Sequence, residues 1–427
     1  MVHAVFLLLG GRISDFWGRK RTFIWSATGF AVASILGGIA QDPSVLIGAR
    51  ALQGVFAALL APSALALLTV AFPGGRSRGT AFAIFGSLSG VGAAIGVLLG
   101  GYLTEYASWR WCFYVNVPIA IVALIGVAAL VRESKAEGST RYDWPGVILA
   151  ALGLGSLVYG FTNAEHGWGA PGAWGFILAG VILMVLFVLV EARVKHPLLP
   201  LRIATERNRG AAFLASFLAG AVLIGGILFI NYYLQIVLGF APFMAGLASL
   251  PMTVVLIITA AVVARNLPKL GAKIPTAAGP VFLAAAMLWL TQVSADGSYA
   301  VNMLPALILM GVGLGTVFVP MQNLALFGVD KDGSGVASAL VNASQQIGGS
   351  LGIALFSTIA AAATAASDGT TAASGGTTAE ALTSGYSAVF LWAAAVAILI
   401  TPIALLLITI SRRTFSGTDD EPHIHPG

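Results

Sequence analysis

The chain has 427 residues, 58% of them hydrophobic and only 9% charged, with a mean hydropathy of +0.92. Soluble domains carry about a quarter charged residues, so this composition excludes a soluble enzyme and calls for a polytopic membrane protein that meets the lipid bilayer along most of its length. The formal charge of +5 is scattered through short loops rather than gathered into a basic patch, which argues against nucleic acid as a partner.

Crossing ~30 Å of hydrocarbon takes about 20 predominantly apolar residues. Runs of that length lie near 22–41, 44–70, 80–105, 111–131, 144–163, 173–192, 210–236, 242–264, 274–293, 300–326, 335–362 and 385–410, which makes twelve full spans. Ahead of them, Met1 to Gly10 is apolar, without a basic leader or a cleavage site. At ~1.5 Å per residue it reaches only about 15 Å and reads as the end of a helix whose beginning is absent. The turn that follows, GGRISDFWGRKRT at Gly10–Thr22, has the chemistry of a cytoplasmic hinge. Gly11 and Gly18 permit a sharp turn and close helix approach, Asp15 offers a carboxylate able to cap a helix start, and Arg19, Lys20 and Arg21 hold the loop on one side.

With that loop in the cytoplasm, alternation of the spans places all but two of the 22 Lys and Arg inside. The exceptions are Arg50, within a span, and Arg110, outside. The C-terminus then falls in the cytoplasm of a cell whose plasma membrane holds the spans. Ala363 to Ser384 outside and Ser416 to Gly427 inside are polar, low-complexity stretches expected to be disordered. His423 and His425 lie in that tail without further ligands, and Cys112 is the single cysteine, so no metal site, disulfide or cofactor is expected.

An internal repeat supports the span count. Gly79, Ala81, Ala83, Gly92 and Gly96 recur as Gly335, Ala337, Ala339, Gly348 and Gly352 at one constant separation, and Gly18-Arg19-Lys20 is echoed by Gly271-Ala272-Lys273. Transporters are commonly built from such repeats, with the substrate site between them. The reading is a truncated N-terminal helical half at 1–143, two inserted helices at 144–209, a C-terminal half at 210–410 and a tail at 411–427. Measured against the second half, the first is expected to lack one whole helix and about half of another, so the complete protein is expected to have fourteen spans.

Several motifs carry a resemblance. The hinge resembles the loop between the second and third helices of major facilitator superfamily transporters, G-x-x-x-D-x-x-G-R-K/R. RALQG at Arg50–Gly54 resembles the fourth-helix motif R-x-x-Q-G, and GAAIGVLLGG at Gly92–Gly101 resembles the fifth-helix antiporter motif G-x-x-x-G-P-x-x-G-G, with Val97 in place of its proline. SWRWCFYVNVP at Ser108–Pro118, YYLQIVLGFAPFMAGLASLP at Tyr232–Pro251 and NASQQIGGSLG at Asn342–Gly352 are similar to the fourteen-helix drug:proton antiporters, the EmrB/QacA-like exporters. The resemblance implies a bacterial inner-membrane exporter, monomeric, that trades protons for small amphipathic drugs or antibiotics by alternating access. It implies gating and coupling roles for Gly11, Asp15, Gly18, Arg19, Arg50, Gln53, Gly92, Gly96, Gly100 and Gly101.

The residues themselves give a complementary reading. Arg50 is costly within hydrocarbon and is expected to face the protein interior, coupling protons or holding Gln53 and backbone carbonyls. Gly92, Gly96 and Gly100 flatten one helix face for close packing. Asn231, Tyr232, Gln235, Gln322, Asn342, Gln345 and Gln346 place uncharged hydrogen-bonding groups among apolar ones, which suits an amphipathic organic substrate. Proton antiport needs a titrating group in the membrane; only Glu105 comes near a span interior, so either it serves or the carboxylate lies in the absent helix. The alternatives are a metabolite facilitator, which a charged cavity would favour, and a transport-inactive fragment. Nothing resembles a catalytic cluster, so no enzyme is expected.

Overall fold

The computed structural model describes residues 13–14, 17–72, 81, 92, 95–134, 143–164, 171–194, 205–327, 334–373 and 378–410, and all regular structure among them is helical. The helices are α1 (Arg19–Ile39), α2 (Pro43–Ala71), a segment over 95–106, α3 (Trp111–Tyr114), α4 (Asn116–Leu130), α5 (Trp144–Asn163), α6 (Pro171–Glu191) and α7 (Arg207–Gly220). They continue with α8 (Gly226–Tyr232), α9 (Pro242–Leu270), α10 (Lys273–Leu290), α11 (Leu304–Leu326), α12 (Ser334–Ala373) and α13 (Thr378–Leu407). Wider π-helical turns stand at Ala221–Gly225, Tyr233–Val237 and Tyr299–Met303.

Among the described residues, 11 helical stretches are long and apolar enough to cross a membrane, each over an expected span. Half of the span expected at 80–105 and the tail at 411–427 lie outside the described residues. One expectation is corrected. Ala363–Ser384, expected to be disordered, is helical through Ala373 and again from Thr378, because alanine, which dominates that stretch, is the strongest helix former.

The chain divides into two compact units. The first comprises Met1–Tyr159, Gly175–Pro200 and Phe240–Leu247, and the second Gly160–Trp174, Leu201–Gly239 and Ala248–Gly427. In the first, Phe23, Ala27 and Leu67 form a core packed by Leu60, Leu124 and Val127, which joins α1, α2 and α4. Arg110 donates from Nη2 to the Ala40 carbonyl at 2.8 Å, satisfying the C-terminal end of α1 with a cation. Asp143 caps α5 by accepting the Gly146 N–H at 2.9 Å. The two inserted helices cross where a Cβ on Gly180 would stand 2.9 Å from the Gly153 carbonyl oxygen. Along α6, Leu178, Val181, Ile182, Val185 and Leu189 are all exposed, an apolar surface suited to contact with lipid.

In the second unit, α11 uses alternate glycines to meet two neighbours at backbone distance. A Cβ on Gly311 or Gly315 would lie 2.6 or 2.7 Å from carbonyls of α9, and one on Gly313 would lie 2.8 Å from the Leu283 nitrogen of α10. In a bilayer, where lipid is as apolar as leucine, such close packing replaces the hydrophobic effect as the force between helices. Leu283, Met287, Leu290, Leu307 and Met310 fill the space left over and are fully buried.

Candidate functional site

The hinge is held by a residue the sequence reading did not single out. Gly18 has φ +119°, a conformation open to glycine, and the place its Cβ would occupy is 2.8 Å from the Glu133 carboxyl carbon. That carboxylate sits at the start of α1 and accepts the backbone N–H of Lys20 and of Arg21, each at 3.1 Å. The Arg19 N–H donates to the Ser134 carbonyl at 3.0 Å, and Lys20 Nζ donates to the Ala128 carbonyl at 2.8 Å, near the end of α4. One anion therefore occupies the positive end of α1 while a cation from α1 occupies the negative end of α4. The signal in the sequence is an acidic residue just after an apolar span, in Val131-Arg132-Glu133-Ser134. Gly11 and Asp15, on which the expected gating contact rests, lie outside the described residues.

Arg50 is exposed on its own unit, with its guanidinium 4.6 Å from the centre of the Phe113 ring. It donates to Gln53 Oε1 at 3.3 Å, and the buried Gln53 passes its amide hydrogen to Ser34 Oγ at 2.6 Å. The network spans α1, α2 and α3, and the charge is shared by a π face and an amide in place of a carboxylate.

The glycines of the antiporter-like motif differ from one another. An added Cβ on Gly92, Gly96 or Gly100 meets nothing within 4 Å, whereas one on Gly101 would lie 2.7 Å from the Pro242 carbonyl oxygen. Close approach within this unit is thus made at Gly101 and not along the whole expected face, because the start of α9 crosses there. Glu105 lies one turn on and accepts the Phe243 N–H at 3.0 Å, at the first turn of α9. Hydrogen bonding to Glu105, then its negative charge, raises the Tyr106 hydroxyl above its ordinary pKa. In the second unit, Gly348 and Gly352, the repeat counterparts of Gly92 and Gly96, are tightly packed: a Cβ on Gly348 would collide with the Phe217 carbonyl, and one on Gly352 would lie 2.7 Å from the Ala221 Cα.

A cavity of about 540 Å³ opens in the second unit, lined by Ile224, Ile227, Leu228, Asn231, Tyr232, Gln235, Ile236 and Ile353. The lining follows one span in which the π turns at Ala221–Gly225 and Tyr233–Val237 bracket α8; such widened turns are frequent at functional sites. Asn231 Nδ2 donates to the Ile227 carbonyl at 3.0 Å, which fixes the amide and leaves Oδ1 as an acceptor. No charged side chain is among the lining residues. The structure thus brings together Asn231, Tyr232 and Gln235 of the seven expected cavity residues. Gln322 is half-buried on α11, Asn342 and Gln346 are exposed on α12, and Gln345 is half-buried with its carbonyl against Gly220. Their separation has a cause: α12 turns its glycine seam toward α7, so that only Ile353 of that helix reaches the cavity.

Glycine-seamed apolar spans and a cavity with no charged lining residue are the features of a multi-pass membrane transporter. The chain belongs to the Major Facilitator Superfamily, whose family model matches residues 1–353. It is 42% identical over 405 residues to the puromycin resistance protein pur8 of Streptomyces alboniger, covering 94% of this chain and 80% of the relative. It is 35% identical to the cephamycin export protein CmcT of Amycolatopsis lactamdurans, covering 98% of this chain and 85% of that one. Among solved structures, a POT peptide transporter in complex with sulfate superposes with a TM-score of 0.65 at 16% identity, covering 95% of this chain and 83% of that one. The nucleoside transporter NupG gives 0.63 at 11%, covering 96% and 90%. At these identities the structures show the fold alone.

Proposed function

We propose that this chain exports small amphipathic organic compounds, antibiotics among them, across the plasma membrane by alternating access in exchange for protons. The observation that carries this reading is the cavity. Five aliphatic side chains provide an apolar seat, while an asparagine, a glutamine and a tyrosine offer neutral hydrogen bonds that orient a guest. The relatives named for resistance to puromycin and for export of cephamycin support the same class of substrate. Arg50, shared between Gln53 and Phe113, is the member of the proton path we propose, with Gly11, Asp15 and Gly18 as the cytoplasmic gate. The protein works as a monomer with its C-terminus in the cytoplasm.

The test is retention of puromycin and of tetraphenylphosphonium by cells with and without the protein, before and after a protonophore. Lower retention that rises when the proton gradient collapses is expected, as is a several-fold loss of efflux in the Asn231→Ala, Gln235→Ala double variant. Equal retention with and without the protein refutes export, and efflux that survives the protonophore refutes proton exchange.

A further inference from the structure

The described cations of the second unit fall into two groups. At the start of α7, Arg207 Nη2 donates to the Leu406 carbonyl at 2.6 Å and Arg209 pairs with Glu206 at 3.2 Å. Around the end of α9, the side chains of Arg265, Lys269 and Lys273 make no hydrogen bond and no ion pair with any described residue. Their own helices hold no carboxylate to pair with them: from Pro242 to Ala295, which covers α9 and α10, the chain carries no Asp or Glu.

Helix electrostatics account for Lys269 alone. It stands in the last turn of α9, where the partial negative charge of the helix end favours a cation. Arg265 precedes that turn. Gly271, with φ +69° and its N–H donating to the Leu267 carbonyl at 2.8 Å, closes α9 and turns the chain into α10. Lys273 is the first residue of α10, at the end of a helix that disfavours a cation. Gathering this charge does not serve the fold, which points to an anion outside the chain.

Farther back, the face of α9 that carries the charge is apolar. Val254, Ile258, Val262, Arg265 and Lys269 follow at intervals of four, four, three and four residues, which sets them on one side of the helix. α11 packs elsewhere, against Met252, Val255, Leu256 and Thr259. Val254, Ile258 and Val262 are accordingly 52%, 58% and 55% exposed, and Arg265 and Lys269 are exposed beyond them. At ~1.5 Å per residue, Arg265 stands about 16 Å along the axis from Val254, close to the ~15 Å of hydrocarbon in one leaflet. The stripe has the length of an acyl chain and ends in cations at the depth of a phosphate.

We propose that this face of α9 binds one anionic phospholipid of the leaflet in which the helix ends. An acyl chain lies along Val254, Ile258 and Val262, Arg265 and Lys269 take the headgroup phosphate, and Lys273 adds to the positive field. A guanidinium offers a phosphate paired N–H donors, and each cation near an anionic surface adds to the attraction. A zwitterionic lipid brings its own ammonium group and gains less from the same cations. None of these residues lines the cavity, so the site is separate from it and does not depend on which compound is exported.

The experiment uses the purified full chain in a neutral detergent, titrated separately with dioleoylphosphatidylglycerol and dioleoylphosphatidylcholine, with bound lipid measured by native mass spectrometry. The wild-type protein should bind the phosphatidylglycerol about tenfold more tightly, with a preference that shrinks as salt is raised. The double variant Arg265→Gln, Lys269→Gln should lose that preference and keep the wild-type affinity for phosphatidylcholine. Arg265→Lys, which keeps the charge, should keep the preference, as should Arg193→Gln, just past the end of α6 in the first unit. A wild-type protein that binds the two lipids equally, or a double variant that still prefers phosphatidylglycerol, overturns the proposal. Displacement of phosphatidylglycerol by sn-glycerol 1-phosphate at equal concentration also overturns it, since the cations would then serve a free phosphate.

Discussion

Glu133 and Gly18 make each other necessary. The carboxylate occupies the volume a side chain on Gly18 would need, and Gly18 adopts a φ of +119° that other residues reach only with strain. The Arg21–Glu133 ion pair is 3.7 Å long between exposed groups and contributes little; the two backbone N–H bonds at the helix start carry the interaction. Glu133→Gln should therefore cost about 1 kcal/mol, the value of a charged helix-start cap, and Gly18→Ala should cost more, on the order of 2 kcal/mol. Thermal midpoints of the purified variants check the ranking; a Gly18→Ala protein as stable as wild type would contradict it. Glu206 plays a similar part at α7. Burial pushes its pKa up, but hydrogen bonds from the backbone and side chains of Arg209 and Asn208 outweigh that and hold it below the ordinary carboxylate value. Because the folded value is the lower one, the stabilisation is complete above the unfolded value of about 4.3 and fades as pH falls through the folded value. Glu206→Gln should thus lower the thermal midpoint near pH 7, and the difference from wild type should close as pH falls through the folded value.

At the scale of whole helices, the internal repeat gave Gly96 and Gly352, and Gly92 and Gly348, equal weight. Their surroundings are unequal, since Gly348 meets the backbone of Phe217 while Gly96 meets nothing within 4 Å. Gly348→Ala must push α12 away from α7 and should abolish most export and lower the thermal midpoint by several degrees. Gly96→Ala should leave the midpoint unchanged. If the two variants lose the same stability, the seam is not what joins these helices. The contrast shows what the sequence carries. Apolar runs of the right length marked every described span, because span length is set by the thickness of hydrocarbon, although α12 runs on to Ala373 past its expected end and α13 starts at Thr378 ahead of its expected start. Rotation about each helix axis was not legible, because lipid and helix neighbours are equally apolar and leave no amphipathic stripe. For the same reason Asn231, Tyr232 and Gln235 could be gathered as a group from their spacing on one helix, while Gln345 and Gln346 on α12 could not be told to face elsewhere.

For the whole molecule, exchange of a substrate for protons requires a group that gains and loses a proton as the protein changes conformation. The described carboxylates stand near helix ends or in connections, Glu105 at the end of the segment over 95–106 and the buried Glu191 at the end of α6. The Glu105 carboxylate is engaged at 3.0 Å by the Phe243 N–H at the first turn of α9. The carboxylate there answers one of the unpaired N–H groups at the start of α9, which gives it a structural part. The next turn back, Gly101 brings the same helix start within backbone distance, so the two residues together position α9. Glu105→Gln is accordingly expected to leave efflux sensitive to a protonophore, with the same dependence on external pH as wild type. It should also lower the thermal midpoint, since an amide oxygen answers the α9 N-terminus without a charge. The measurement is substrate efflux from proteoliposomes under an imposed pH gradient, with proton uptake followed by an internal dye. Substrate movement without accompanying proton movement in Glu105→Gln would make this carboxylate the coupling group and assign the α9 contact to one conformation of the transport cycle.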